Sequence, residues 1–389
     1  MYLSRLQIQR FRTLYDVDLT LKPLTIIIGP HASGKSNLFK ALRLLHDVVA
    51  GEWQAHDSQI EHLLWYGTDE HGNRPQTMTF ACEFSTVGRY QVALRCKDHL
   101  SVESESLDIA QPQGRTFSRC FQRLGNRIET SVPAQEPRHA ALSPRALALR
   151  DVLELPQARA IYHHITGWRC FDVALTSARQ ASSIPQHPEE VPPLAEDGSN
   201  LSAFLYALRQ VHPDDFNMIA ELLSDCIGVL EKLVVEHDAA HGGHSVHYSF
   251  LEAPFAKGRL IPPQSAADGT IRLLAYLALL LGDRSVSLAC LEEPAHSLHP
   301  RMMLRLADLF RQVTAQTASH SFTPQILITT HNPELMDCFD LSEESDHLQV
   351  YLAGRDEHGK TQFISATSEM LAPWLERYRL GEAVRRNFV

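Results

Sequence analysis

The sequence predicts an α/β fold in which the two ends of the chain build the core and the middle is an insertion. Near the N-terminus, a continuous apolar run at 24–28 has the pattern of a strand buried on both faces, and helical spacing follows it. In the final third, strand-like runs at 285–291 and 326–329 alternate with helical patterns. From 51 to 263 the periodicity is weak. We therefore expect alternating strands and helices, with a mixed sheet flanked by helices, interrupted by a long α+β segment.

The N-terminal region shows three strand patterns and one helix pattern. Polar and apolar residues alternate at 5–9 and at 17–22, which predicts two half-buried strands before the apolar run. After the run, apolar residues recur at Leu38, Ala41 and Leu45 with charged residues between them, as in a helix with one buried face. A glycine-bounded loop separates the third strand from this helix.

The middle of the chain contains shorter and weaker signals. Apolar segments at 79–84 and 90–96 predict a hairpin around "STVGR", and 146–165 and 201–211 predict helices. We expect long loops where proline, glycine and polar residues accumulate. These loop segments are 111–145 and 182–200.

The final third is strongly patterned. Asp268 precedes an apolar helix, for which it is a candidate N-cap. Met303, Leu306, Phe310 and Val313 mark the buried face of an amphipathic helix between the two strand runs.

The composition gives no general attraction to nucleic acid. The 389-residue chain has 36 Lys and Arg against 46 Asp and Glu, for a net charge of −10, so any DNA binding needs a local patch. One candidate patch is a series of arginines at four-residue spacing, which on a helix would form one cationic face. A solvated helix face explains such a series more often than DNA binding does. The series is Arg115, Arg119, Arg123 and Arg127.

We expect a cytoplasmic protein with no membrane partner. The N-terminus has no signal-peptide pattern, and the most apolar run, 273–281, is about half of the roughly 20 residues that span a bilayer. The seven cysteines are scattered without a Cys-x-x-Cys pair, which favours a reducing compartment over a disulfide framework or a zinc site.

The loop after the third strand has the spacing of a phosphate-binding loop. Gly29 and Gly34 let backbone N–H groups approach phosphates, and the following helix adds its positive N-terminal end. Lys35 would reach the β- and γ-phosphates of a ligand, and the Ser36 hydroxyl would ligate Mg²⁺, but the loop alone indicates only phosphate. The predicted ATP-binding residues of this loop are Gly29, Pro30, His31, Ala32, Ser33, Gly34, Lys35, Ser36 and Asn37.

Two later strand ends carry candidate catalytic residues. The strand run at 285–291 is followed by Glu292 and Glu293, at the carboxyl edge where ligands of open α/β sheets bind. We expect Glu292 to hold Mg²⁺, directly or through water, and Glu293 to polarise the attacking water. His331 ends the next strand and could contact the γ-phosphate. Asp268 and Gly269 begin a helix whose N-terminus would attract an anion.

The order of these motifs resembles the ABC-type ATPase domains of the RecF, SMC and OLD-like families, including compact bacterial members called AAA family ATPases. The likeness is strong at 1–50 and 262–340, and weaker in the middle, in "WRCFDVAL" and "EDGSNLSAFLYAL". The C-terminal "WLERYRLGE" is similar to the tail of the compact members. In this resemblance "DGTIRLL" corresponds to the signature motif, and "EEPAHSLHP" to Walker B plus the D-loop.

The resemblance implies a division into three parts and a set of site residues. Residues 1–50 would be the first part of an ATPase head, 51–261 an inserted lid, and 262–389 the rest of the head with a tail. Arg12 falls where an arginine often lies near the nucleotide, and His331 takes the place of the switch histidine. The signature would be Ser265, Ala267, Asp268 and Gly269, and the D-loop Ser297, Leu298 and His299.

The resemblance also implies a head-to-tail homodimer, in which each ATP lies between the phosphate loop of one subunit and the signature helix of the other. Two departures from the family pattern bear on this. Ala267 replaces the signature serine, which removes a hydroxyl contact worth about 1–3 kcal/mol if its acceptor is left unpaired. His31 and Ala32 replace the more usual Asn-Gly. We therefore expect slow hydrolysis and weakened ATP-driven dimerisation.

Two biological roles remain open. The first is an ATP-gated dimer in DNA repair or defence against foreign DNA. The second is a nucleotide-dependent switch that holds a separate effector such as a nuclease. OLD-type relatives carry a Toprim nuclease domain after the ATPase, but only 58 residues (389 − 331) follow His331 here, so we expect no nuclease activity of the chain itself. The motifs fit a transporter ATPase or a ring-forming AAA+ motor less well. ATPases of this type usually have a glutamine that senses the metal ion, and Gln59 is the candidate for it in this chain.

Overall fold

The computed structural model describes residues 1–58, 60–68, 72–111, 116–131, 143–185, 187, 189–237, 245–253, 259–315, 323–339 and 346–367. The chain divides into two compact units, which we call unit 1 (Met1–Trp168 with Ser345–Ala366) and unit 2 (Arg169–Glu344 with Thr367–Val389). Arg115, Gln59 and the "WLERYRLGE" tail lie outside the described residues.

The bounds of the regular elements follow the chain. The strands are β1 (Leu3–Phe11), β2 (Leu14–Thr20), β3 (Leu24–Ile28), β4 (Thr77–Phe84), β5 (Gly88–Cys96), β6 (Leu100–Ala110), β7 (Phe117–Leu124), β8 (Arg127–Thr130), β9 (Trp168–Phe171), β10 (Ser182–Ser183), β11 (Leu230–His237), β12 (Ser245–Glu252), β13 (Leu260–Ile261), β14 (Leu288–Glu292), β15 (Gln325–Thr330), β16 (Leu348–Arg355) and β17 (Thr361–Ser365). The helices are α1 (Lys35–Ala50), α2 (Gln54–Asp57), α3 (Pro156–Thr166), α4 (Leu175–Ala178), α5 (Leu201–Val211), α6 (Pro213–Ile227), α7 (Asp268–Leu277), α8 (Pro300–Thr314) and α9 (Pro333–Met336).

Unit 1 contains a seven-stranded antiparallel sheet in the order β2-β1-β4-β5-β6-β7-β8. The alternation predicted for the first two strands is confirmed, because Leu6 faces Leu19 and both are fully buried. The polar residues between them form the exposed face, where Arg5 pairs with Asp18. The predicted hairpin around "STVGR" is also confirmed, as β4 and β5.

Unit 1 also holds a parallel pair of strands that leads to the phosphate loop. All five residues of β3 are buried, as the apolar run predicted, and β3 pairs in parallel with β16, which pairs antiparallel with β17. Helix α1 follows the loop and buries its apolar residues along one face, which confirms the predicted strand–loop–helix order.

The prediction of long loops at 111–145 is wrong for the part occupied by β7 and β8. The arginine series therefore forms no helical cationic face in the described residues. Arg119 pairs with Asp108 across the strands. Arg123 is fully buried, and its guanidinium donates hydrogen bonds to the carbonyls of Gly125, Ala146 and Ser143. A four-residue spacing keeps side chains on one face of a regular strand, but the register of β7 against β6 shifts between Arg119 and Phe121, and Arg119 is exposed whereas Arg123 is buried.

The predicted helix at 146–165 is two separate pieces. A 3₁₀ turn covers Ala148–Val152, and α3 begins only at Pro156. Leu155 has an extended conformation, with ψ 124°, because a residue that precedes proline is disfavoured in the helical region. The single-helix prediction was therefore wrong at this proline.

A buried carboxylate in unit 1 is coupled to several hydrogen-bond donors. Glu105 is 1% exposed and accepts from Tyr90 Oη at 3.0 Å and from the backbone N–H groups of Ala148 at 2.7 Å and Leu149 at 2.9 Å. Arg123 lies 4.0 Å away. Burial raises the pKa of Glu105 from 4.5 to about 7, although each of these neighbours favours the charged form.

Glu105 should make the free energy of unfolding fall as the pH rises from 4.5 to about 7. In this window the folded protein keeps a proton on Glu105 that the unfolded chain has released, so the stabilisation present below the unfolded pKa is lost as the pH rises through the folded pKa. We expect a loss on the order of 3 kcal/mol, and Glu105→Gln should flatten this part of the profile. Urea denaturation of both proteins across the window measures the difference, and parallel profiles would contradict the prediction.

Unit 2 contains the parallel strands β14 and β15, with Leu291 beside Ile328. The amphipathic helix predicted before β15 is α8, and its four marker residues are buried. Helix α5 has the predicted bounds, 201–211. Strand β14 begins three residues later than the predicted 285, because the Asp283 carboxylate accepts from both the backbone N–H and the hydroxyl of Ser285 and holds a turn there.

A smaller antiparallel sheet in unit 2 has the order β10-β12-β11, with β13 also paired to β12. Its strand β10 lies inside the 182–200 segment that was predicted as a loop. Among the described residues, no helix has both the length and the apolar character needed to cross a membrane.

Candidate functional site

The phosphate loop of unit 1 has a backbone that accepts few side chains. Gly34, at the start of α1, has a φ of 102°, and a Cβ on it would collide with the Thr361 hydroxyl. A Cβ on Gly29 would meet the Ala353 carbonyl. Ala32 has a φ of 63°, a conformation that costs an L-residue about 1–2 kcal/mol. At this position the related ATPases usually have glycine, which would adopt the same backbone conformation without strain.

Lys35 folds back over this loop. Its side chain is buried, and Nζ donates to the carbonyls of Gly29 at 2.7 Å and Pro30 at 2.9 Å. The ammonium therefore braces the loop from inside and brings a positive charge to it. Ser36 is partly exposed at the start of α1, and His31 is exposed on the loop.

Two polar atoms of unit 1 suit a phosphate ligand. Ser33 Oγ and Arg12 Nε are buried, and neither has a hydrogen-bond partner within the part of the chain that the structure describes. Buried donors without a partner are costly, and phosphate oxygens are acceptors that satisfy such groups. The residues present thus fit an ATP phosphate group, with Arg12, Ser33, Lys35 and the loop N–H groups as its donors.

A hydroxyl network lies behind the loop and was missed from the sequence. Thr13 Oγ1 accepts from Asn37 Nδ2 at 2.8 Å and lies 2.7 Å from Thr361 Oγ1. The backbone N–H of Thr361 donates to the carbonyl of Thr13. Thr13 follows Arg12 directly, so the "FRTL" segment was a signal for it. Thr361 is more than 300 positions away and carries no local signal.

The catalytic candidates of unit 2 meet at the ends of two parallel strands. Glu293 follows β14 with a φ of 47°, in the left-handed region, and His331 follows β15. His331 Nδ1 lies 2.5 Å from Glu293 Oε1, and the His331 backbone N–H donates to Glu293 Oε2 at 3.2 Å. A non-glycine residue held in this backbone conformation is typical of functional sites. The structure thus brings together two of the residues that the sequence singled out.

Glu292 is the last residue of β14, and its side chain is exposed. Within the described ranges, no three or more His, Cys, Asp or Glu side chains are grouped so as to hold a metal ion. The candidate ligands Ser36 and Glu292 suit Mg²⁺ better than a metal whose ligands all come from the protein. Mg²⁺ is usually held by one or two protein oxygens together with water and phosphate.

The signature segment of unit 2 is held by an arginine rather than by an N-cap. Asp268 is the first residue of α7 and makes no cap hydrogen bond, so the N-cap prediction was wrong. Its Oδ1 accepts instead from Arg179 Nη2 at 2.6 Å. Arg179 also donates to the carbonyls of Pro263 and Ala266. Ser265 and Ala267 are both exposed in this segment.

Arg179 was missed from the sequence because nothing local distinguishes it. It lies 89 positions before Asp268, at the end of the short helix α4. Its carbonyl in turn accepts from the Gln264 side chain at 2.8 Å. The arginine therefore links α4 to the start of the signature helix.

The D-loop candidates pack against that helix within unit 2. A Cβ on Gly269 would lie 2.9 Å from the carbonyl oxygen of Ser297, so only glycine allows this approach without displacement. Ser297 has a φ of 66°, and Leu298 is buried. His299 is the N-cap of α8, where Nδ1 accepts from the Arg301 backbone N–H at 3.3 Å. The signature and D-loop residues therefore form one packed group.

Comparison with known proteins gives two family matches and one curated relative. Residues 133–337 match the family described as "AAA domain, putative AbiEii toxin, Type IV TA system", and residues 1–132 match an "AAA ATPase domain" family. An OLD nuclease from Thermus scotoductus is 49% identical over 50 residues, which are 13% of this chain and 9% of the nuclease. The match thus spans less than a tenth of that relative.

Solved structures with a similar fold include SMC heads. An SMC head, in complex with the C-terminal winged-helix domain of ScpA, aligns with a TM-score of 0.61 at 13% identity, over 96% of this chain and 100% of that chain. An SMC head domain from Thermotoga maritima aligns with a TM-score of 0.48 at 12% identity, over 94% of this chain and 99% of that chain, a likeness too weak to carry an argument. At this identity the first alignment is informative about the fold alone.

Proposed function

Since the chain belongs to the family of AAA domains that residues 133–337 match, and has the ABC-type ATPase fold of the SMC, RecF and OLD-like proteins, we propose that it binds Mg²⁺ and ATP and hydrolyses ATP through Glu293 and His331. The observation that carries this proposal is the Glu293–His331 pair at adjacent strand ends, with 2.5 Å between Oε1 and Nδ1. A carboxylate held beside an imidazole is a suitable general base and positioning group for water.

Each proposed residue has a separate task. Lys35, Arg12, Ser33 and the loop N–H groups bind the phosphates, and Ser36 and Glu292 are each candidate ligands for Mg²⁺. Mg²⁺, when bound, supplies positive charge that neutralises the phosphate oxygens. Glu293 accepts the proton of the attacking water, and His331 orients the Glu293 carboxylate through Nδ1. We propose that the second ring nitrogen, Nε2, contacts the γ-phosphate.

We further propose that ATP joins two copies of the chain. The segment that would complete the partner's site is Ser265, Ala267, Asp268 and Gly269, in which Arg179 and Asp268 are held together by an ion pair of 2.6 Å. The support is the exposure of Ser265, Ala267 and Asp268 at the N-terminal end of α7, since the first N–H groups of a helix have no intrahelical partner and favour an anion.

Ala267→Ser should increase ATP-dependent dimerisation. The new hydroxyl would add one donor to the shared phosphate, and one such hydrogen bond is worth about 1 kcal/mol, or roughly fivefold in the dimerisation constant. Light scattering with and without Mg·ATP measures the effect. The same substitution combined with Lys35→Ala is the control, because without bound nucleotide the added hydroxyl has nothing to contact. An unchanged dimer fraction with ATP bound would contradict the prediction.

The biological role that we propose is an ATP-gated dimer in DNA repair or defence against foreign DNA. A second candidate is a switch that holds a separate effector such as a nuclease. The fate of two arginines favours this second role over direct DNA binding, because Arg119 is paired with Asp108 and Arg123 is fully buried, so neither contributes to the candidate cationic face.

One experiment separates the two roles. ATP hydrolysis is measured with and without DNA, and the tagged protein is isolated with Mg·ATP for mass spectrometry. Stimulation by DNA without a stoichiometric partner supports direct action on DNA. A stoichiometric nuclease partner, with no response to DNA, supports the effector-holding role.

A further inference from the structure

A buried hydroxyl lies directly beneath the proposed catalytic base. Thr330, the last residue of β15, is fully buried, and its Oγ1 lies 3.1 Å from Glu293 Oε2 and 3.0 Å from the backbone nitrogen of Asn332. Thr330 is not among the residues that the sequence motifs singled out, since it reads as an ordinary core position of an apolar strand.

The direction of each hydrogen bond at Thr330 is fixed by chemistry. A backbone N–H can only donate, so Thr330 Oγ1 must accept from Asn332. A carboxylate oxygen can only accept, so the Thr330 proton must point at Glu293 Oε2. Oε2 therefore receives two donors, the Thr330 hydroxyl and the His331 backbone N–H. Oε1 is left facing His331 Nδ1.

The anchor for this hydroxyl is itself rigid. Asn332 is the N-cap of α9, and its Oδ1 accepts from the backbone N–H groups of Glu334 at 2.8 Å and Leu335 at 3.4 Å. Helix α9 therefore begins directly after Asn332, and its capping hydrogen bonds hold this residue in place. Glutamate has three rotatable side-chain bonds, and ordering such a side chain costs conformational entropy. The hydroxyl of Thr330 supplies a fixed point that offsets this cost.

We propose that Thr330 is a positioning residue for ATP hydrolysis: its hydroxyl fixes the rotation of the Glu293 carboxylate, so that Oε2 is fully engaged and Oε1 is the oxygen that takes the proton from water. This inference rests on the proposed function, in which Glu293 is the base. Beyond that function, Oε1 becomes the oxygen that accepts the proton, and Thr330 becomes the residue that aligns Glu293.

The variants for the test come from neighbouring positions of β15. Thr330→Val removes the hydroxyl and keeps the branched shape, whereas Thr330→Ser keeps the hydroxyl. Thr329→Val is the matched control, because Thr329 is also fully buried but its Oγ1 has no hydrogen-bond partner among the residues described. If the valine variant fails to bind ATP, Thr330→Ala tests the same hydroxyl without added bulk.

We expect Thr330→Val to lower kcat by roughly 10-fold to 100-fold at unchanged KM, since misplacing a reacting group by about 1 Å has such an effect. The kcat of Thr330→Ser should stay within about threefold of the kcat of the unchanged protein. The kcat of Thr329→Val should equal that of the unchanged protein. Wild-type kcat in both Thr330→Val and Thr330→Ala would overturn the proposal. So would an equal loss in Thr330→Ser and Thr330→Val.

A double mutant distinguishes positioning from a merely structural role. In the Glu293→Gln background, Thr330→Val should cause no further loss of the residual single-turnover rate, because residues that act as a unit are not additive. A multiplied loss would overturn the proposal. Full turnover by Glu293→Gln alone would instead refute the proposed function, whereas a defective Glu293→Gln with an unaffected Thr330→Val refutes only this inference.

Discussion

Glu293→Gln should bind ATP as tightly as the unchanged protein and hydrolyse it at least about 100-fold more slowly, because general-base catalysis contributes about 10²–10⁴. An amide cannot take a proton from water. Its shape nevertheless fits the site, since the carbonyl oxygen can replace Oε2 beneath Thr330 and the His331 backbone N–H. The NH₂ group then faces His331 Nδ1, which must become an acceptor. The variant should therefore fold normally and retain nucleotide.

The measurement is phosphate release together with the dissociation constant for ATP. Glu334→Gln is the matched control, because Glu334 is a nearby exposed carboxylate and its backbone N–H, which the substitution keeps, is the group that donates to Asn332 Oδ1. We expect this control to keep the turnover of the unchanged protein. Normal turnover in Glu293→Gln would exclude Glu293 as the base.

Lys35→Ala should abolish nucleotide binding, with affinity reduced at least about 100-fold. The ammonium contributes hydrogen bonds to a charged ligand that are worth about 1.5–3 kcal/mol each, and it also braces the loop through the carbonyls of Gly29 and Pro30. Its removal takes away both the charge and the brace. The loop carbonyls would then lie near the phosphates without a compensating cation.

Isothermal titration with ATP and ADP measures this loss. Lys40→Ala is the control, because Lys40 lies on the exposed face of the same helix, α1, and carries the same charge. The control should bind nucleotide like the unchanged protein, apart from a small uniform electrostatic effect. Tight ATP binding by Lys35→Ala would contradict the assignment of the phosphate loop.

Together the two variants separate binding from chemistry. Lys35→Ala should be inactive because it holds no nucleotide, whereas Glu293→Gln should be inactive with nucleotide bound. If ATP joins two copies of the chain, only Glu293→Gln should accumulate as a dimer with Mg·ATP. Light scattering on the two variants therefore tests the proposed ATP-gated dimer as well.

Much of the core was predictable because its signals are local. A strand buried on both faces must be continuously apolar, as in β3, and a helix with one buried face must repeat its apolar residues, as in α1 and α8. The phosphate loop needs glycine at Gly34 because of its left-handed backbone. Such requirements involve only a few consecutive residues, so the sequence displays them directly.

Apart from the helix interrupted before Pro156 and the late start of β14, which have local causes, the errors arose where a long-range partner decides the structure. The segment of β7 and β8 is polar enough to resemble a loop, yet it pairs with β6 at the edge of the seven-stranded sheet. Arg123 is buried only because three carbonyls and Glu105 surround it. Asp268 does not cap α7 because Ala267 occupies the N-cap position, and the Asp268 carboxylate accepts from Arg179 instead.

By itself, the sequence determined which residue types carry charge, protons and phosphate contacts, and it placed Lys35, Glu293 and His331 at the ends of strands or the start of a helix. Only the tertiary structure decided that Thr330 directs its proton to Glu293 Oε2 and that Arg179 holds the signature segment. The physical reason is that backbone periodicity is set by neighbours in the chain, whereas a hydrogen bond depends on a separation of about 3 Å between groups that the chain brings together only after folding.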